Sequence, residues 1–67
     1  MIDETTTPEE AIRMAIEREK GAHEFYNQAA KIAKYPGTRQ MFESLAKEEL
    51  KHRQILEDEL ARVKEGA

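Results

Sequence analysis

Between Pro8 and the C-terminus the chain carries one strong helix breaker, the run Lys34-Tyr35-Pro36-Gly37-Thr38. A proline disfavours helix at the residue before it, and Pro-Gly supplies turn geometry. On both sides of this break apolar residues recur at steps of three and four, the mark of a helix with one buried stripe. Before it the stripe runs through Ile12, Ala15, Ile16, Glu19, Ala22, His23, Tyr26, Ala30 and Ala33; after it, through Met41, Phe42, Leu45, Glu49, His52, Leu56, Leu60 and Val63. The pattern predicts two helices, over about 8–34 and 38–64, each about 27 residues or ~40 Å long. Two long helices joined by a short turn make an antiparallel hairpin, so the expected fold is all-α, one unit over 1–67.

Local signals set the expected ends. Thr7 can cap free amides at the start of the first helix, Pro8 suits its first turn, and Glu10 three residues on completes a capping box. Thr38 is the expected cap of the second helix, which should run to about Lys64 before Gly66. Gly21 interrupts the first helix at a cost of about 1 kcal/mol relative to Ala, a cost that close approach of the helices would justify. Met14 and Met41 read as packing residues.

Such a hairpin cannot build much of a core. The 67 residues include only two Phe and two Tyr, with no Trp and no Cys, and a chain this small generally needs a metal, a partner or self-association for stability. Without Cys there is no zinc ribbon, thioredoxin-type redox pair or rubredoxin-type iron site. The net charge of −3, from 14 acidic and 11 basic side chains spread along the chain, gives no basic stripe for nucleic acid. No apolar run approaches the ~20 residues of a membrane span, and the first residues lack the pattern of a secretory signal, so a cytoplasmic location with no membrane partner is expected.

Glu19, His23, Glu49 and His52 interrupt the apolar stripes. On a wheel of ~100° per residue, Ile12, Tyr26 and Ala30 lie within roughly 20° of Glu19, whereas Glu17 and Glu24 are displaced by roughly 140° to 160°. Glu19 is therefore the inward acid of the first helix. Glu49 and His52 form a Glu-x-x-His step on the stripe of the second. Counted from the Pro36-Gly37 turn at ~1.5 Å per residue, Glu19 and His52 should lie within roughly 3 Å in height and Glu49 within about 8 Å. Buried carboxylates are costly alone, and a cation offsets that cost. Two carboxylates and an imidazole suit iron or manganese. One Glu from one helix with a Glu-x-x-His from its neighbour is half of a two-metal shell inside a helix bundle, so a symmetric pair of hairpins would complete it.

The segment Ala15 to Tyr26 together with Phe42 to His52 resembles the rubrerythrin branch of the ferritin-like superfamily. In that branch the metal-binding Glu of the first helix is followed seven residues later by Tyr, as Glu19 and Tyr26 are, and the next helix carries Glu-x-x-His, as Glu49 and His52 do. The resemblance covers nearly the whole chain but half of the usual four-helix domain. Half-length members, including the encapsulated ferritins, build their di-iron site between subunits. The resemblance therefore implies a hairpin that dimerises into a ferritin-like four-helix bundle, as a homodimer or higher even oligomer. It implies iron ligands Glu19, Glu49 and His52 and a ferroxidase or peroxidase reaction with dioxygen or hydrogen peroxide. These 67 residues hold no counterpart of the rubredoxin domain of classical rubrerythrins, and Arg62 to Ala67 show no apolar extension of the kind that docks cargo in an encapsulin shell, so encapsulation is not expected.

Further residues fall around this set. The Tyr26 hydroxyl can orient a ligand carboxylate by hydrogen bonding, or its ring can simply fill the core. His23, one turn from Glu19 and about 40° away on the wheel, is either an accessory ligand near an entry path or a histidine satisfied at the helix interface. Glu48 and Glu59 flank the stripe and read as solvated. In a chain with 12 Glu the bland reading of Glu49 and His52 is a solvated face, with Glu49 paired to Arg53 and Glu48 to His52 at four-residue spacing. Two other functions fit the same stripes: a non-catalytic helical module that dimerises or docks a partner, with the polar triad fixing register, and a piece of a larger rubrerythrin-like peroxidase.

Overall fold

The computed structural model of the chain describes residues 2–66. It is a hairpin of two packed helices, α1 from Pro8 to Ile32 and α2 from Pro36 to Lys64. The start of α1 follows its sequence signals closely. Thr7 is extended, its side chain accepts from the Glu10 amide at 3.1 Å, and the Glu10 carboxylate accepts from the Thr7 amide at 2.8 Å. The two bonds satisfy two of the amides that a helix start leaves free. The Thr7 amide, and after it the Thr7 hydroxyl, also holds the Glu10 carboxyl below its usual pKa by favouring the charged form.

The turn is tighter than the breaker residues predict. α1 ends at Ile32, with Ala33 extended as its cap, and α2 begins at Pro36 itself with Tyr35 as its N-cap. Pro36-Gly37 is therefore the first turn of α2, and Thr38 lies inside the helix instead of capping it. A proline at the first helical position loses no hydrogen bond and arrives with its φ already helical, so it starts a helix as readily as it ends one. The restriction it imposes falls on Tyr35, which is extended as expected. Across the turn the Arg39 guanidinium donates to the Ala33 carbonyl at 3.1 Å, covering an acceptor at the end of α1.

Moving the turn changes the register. With Lys34 at its centre, Glu19 lies 15 residues before it and Glu49 15 after. Glu19 and Glu49 are thus level, and His52 stands three residues or ~4.5 Å farther out. Counting from Pro36-Gly37 pairs Glu19 with His52 in height instead; the earlier end of α1 and the earlier start of α2, each by two residues, account for the difference.

Every predicted stripe position of α1 is buried or half-buried, as are those of α2 except Met41 and His52, which are exposed. Gly21 is not a close approach, since an added Cβ would meet nothing within 4 Å. Ala46, not anticipated as a core position, is the most buried residue of the hairpin at 3% exposure; with Ile16 and Ala30 it completes the fully buried apolar set among the described residues. The molecule measures 47 × 22 × 11 Å. Its smallest dimension equals one helix diameter of about 10–12 Å, so the two helices form a single layer. Neither helix is long and apolar enough to cross a membrane.

Candidate metal centre

Glu19 comes from the middle of α1, Glu49 and His52 from adjacent turns of α2. The inward stripe of each helix and the level register bring one donor atom of each within 4.8 Å of the others. His52 Nδ1 is 3.4 Å from Glu19 Oε2 and 3.7 Å from Glu49 Oε2. The carboxylates are the sheltered members, with side chains 23% and 15% exposed, while the imidazole, 53% exposed, stands at the mouth.

The bland pairings do not form. Glu48 takes Lys51 at 3.5 Å and Arg53 takes Glu57 at 3.3 Å, leaving Glu49 and His52 to face Glu19. Even so, Glu19 Oε2 is buried and accepts no hydrogen bond. The 3.4 Å separation from His52 Nδ1 is beyond the usual range of about 2.7–3.2 Å. A buried carboxylate oxygen in that state lacks a hydrogen-bond donor, and a cation bound among the three donors would satisfy it. The donor set, oxygen-rich with one imidazole, fits iron or manganese and lacks the thiolates of a structural zinc site.

A rubrerythrin family model matches residues 10–67, from the first turn of α1 through the end of α2. The chain belongs to the rubrerythrin family. Neither the comparison with curated proteins nor that with solved structures returned a match. In this rubrerythrin-family chain the Glu of α1 and the Glu-x-x-His of α2 are the residues that the fold gathers.

Two further residues take definite places. The Tyr26 ring, 6.3 Å from Phe42 and nearly parallel to it, bridges the two helices, with Phe25 edge-on at 5.6 Å; its hydroxyl does not reach Glu19 Oε2, which has no partner. His23 points across the helix interface, with Nδ1 2.9 Å from the Ala46 carbonyl oxygen and Nε2 3.0 Å from Asn27 Nδ2. Both ring nitrogens are engaged, which is the satisfied-interface state, and His23 stands apart from the three-donor cluster. The residue that sequence reasoning missed is Ala46. Its position four residues after Phe42 and three before Glu49 was the available signal.

Proposed function

We propose that this chain is a di-iron carboxylate protein that oxidises Fe(II) with dioxygen or hydrogen peroxide, its site completed between two copies of the hairpin. The observation that carries the reading is the buried, unpartnered Oε2 of Glu19 facing Glu49 and His52, in a chain of the rubrerythrin family. One hairpin offers two carboxylates and one imidazole. A two-fold pair offers four Glu and two His, the set that ferritin-like bundles use for two metal ions.

Glu19 and Glu49 would hold the ions through their carboxylates and offset their charge. His52 contributes a neutral nitrogen from the mouth, where a second hairpin would cover it. Tyr26, on the same stripe as Glu19, fills the helix interface with its ring against Phe42. Iron supplies the redox chemistry: two Fe(II) each lose one electron, and dioxygen takes both with two protons to leave as hydrogen peroxide, or peroxide takes both with two protons to leave as water. Manganese fits the same donors.

Anaerobic titration of the metal-free protein with Fe(II), followed by air, tests the reading. About one iron per chain should bind and oxidise, with the mass of an even-numbered oligomer, and Glu49→Ala with His52→Ala should remove both binding and oxidation. A stoichiometry well below that, or an unaffected double variant, would overturn it. If chelators leave oligomer mass and melting unchanged, a purely structural helical module is the better description.

A further inference from the structure

His23 has no task in the chemistry above, yet it makes the one side-chain hydrogen bond that joins α1 to α2 among the described residues; the other side-chain bonds run within the segment before α1, within a helix or its cap, or in the turn. A carbonyl oxygen only accepts, so Nδ1 carries the proton and donates to Ala46, and Nε2 accepts from the Asn27 amide. We propose that His23 is a positioning residue whose Nδ1–H bond to Ala46 sets the axial register that holds Glu19 level with Glu49. The inference rests on the metal-centre reading above.

The register arithmetic supports it. His23 lies four residues, or ~6 Å, from Glu19 toward the turn, and Ala46 lies three residues, or ~4.5 Å, from Glu49 in the same direction. Tying His23 to Ala46 therefore brings the two carboxylates to nearly one height. Apolar burial is non-directional and leaves small axial shifts cheap. Metal ligation is intolerant of them, accepting deviations of about 0.2 Å. A slip of one residue, ~1.5 Å, would carry the 2.9 Å bond out of range, so the bond resists the displacement that would spoil the cluster. Ala46 suits the role because its methyl group lets an imidazole reach the backbone of a packed helix. Asn27 completes the device by fixing the ring from its other nitrogen.

The test uses the full chain, first without metal and then with Co(II) as the probe. Ring nitrogen shifts of the metal-free protein should report the Nδ1–H tautomer at His23. His23→Leu keeps apolar volume and removes the donor; His23→Asn keeps a donor near the place of Nδ1. Co(II) affinity should fall 10- to 100-fold in His23→Leu and return to within about threefold of the parent in His23→Asn, with unchanged stoichiometry at saturation. Affinities are compared well below each variant's melting temperature, so that a purely structural role would lower melting and leave them equal. An Nε2–H tautomer, equal affinity in His23→Leu, or lost stoichiometry in His23→Asn, the sign of a direct ligand, would each overturn the positioning role. A parent protein that shows the Nδ1–H tautomer but takes up neither Co(II) nor Fe(II) would overturn the metal-centre reading, and the positioning role with it. The tautomer is read on the parent protein, so the proposal stays falsifiable even if His23→Leu fails to fold.

Discussion

A buried acceptor without a donor costs about 1–3 kcal/mol, and Glu19 Oε2 is such an atom. The residue is thus a stability defect in the metal-free hairpin and a ligand in the proposed metal-bound one. Glu19→Met, similar in volume and without charge, should stabilise the metal-free protein by about 1 kcal/mol, the low end of that range because the side chain retains some exposure. The same substitution should abolish Fe(II) uptake. Denaturant unfolding with chelator present checks the first half; a loss of stability would mean that Glu19 is well satisfied without metal. At this scale the sequence carried much of the arrangement. A charged residue on an apolar stripe is visible by periodicity, and Glu19, Glu49 and His52 were found that way. The His23–Ala46 tie was not legible, because a side chain bonded to a backbone carbonyl leaves no mark on its partner's identity.

Helix ends and interiors answer to more local rules. Thr7→Ala removes the acceptor for the Glu10 amide and should cost about 1 kcal/mol, read as a lower melting temperature. The Glu10 carboxyl is depressed in the folded state by its bonds from Thr7, so its contribution is fully present above the ordinary glutamate pKa and is lost as the pH falls through the depressed value. Thr7→Ala keeps the backbone amide, the larger cause, and removes the hydroxyl, so it should flatten the acid limb of the stability profile only in part; an unchanged limb would show that the hydroxyl does not act on Glu10 in solution. Gly21 sits in mid-helix with open space where a Cβ would go, so Gly21→Ala should stabilise by about 0.5–1 kcal/mol, and a loss would reveal a contact that the hairpin alone does not make. The start of α1 was legible because its cap chemistry lies within four consecutive residues. The start of α2 was misread by two residues because proline marks a helix start and a helix stop with the same letter, and only the tertiary turn decides between them. That small displacement, with the equally early end of α1, moved Glu49, instead of His52, level with Glu19.

For the whole molecule the controlling fact is thickness. The radius of gyration is 15.0 Å, against about 11 Å for a compact chain of this length, because a single layer of helices has no second layer to bury its face against. Phe25, Ile32 and Ile55 are 64%, 81% and 66% exposed, and His52 of the metal centre is 53% exposed. A second copy laid over His52 would complete the burial of the half-buried stripes, cover the imidazole and supply the remaining ligands in one step. Folding and association are then one equilibrium. A tenfold rise in protein concentration should add about 1.4 kcal/mol to the stability of a dimer. For two chains of this length that is a rise in melting temperature of about 3–6 °C, and Fe(II) should raise it further by binding the assembled state alone. Calorimetry across a hundredfold range of chain concentration, with sedimentation at each end, measures this directly. A melting temperature independent of concentration, with the mass of one chain, would leave the stripes uncovered and the carboxylates without their second half, and the shared centre would have to be abandoned.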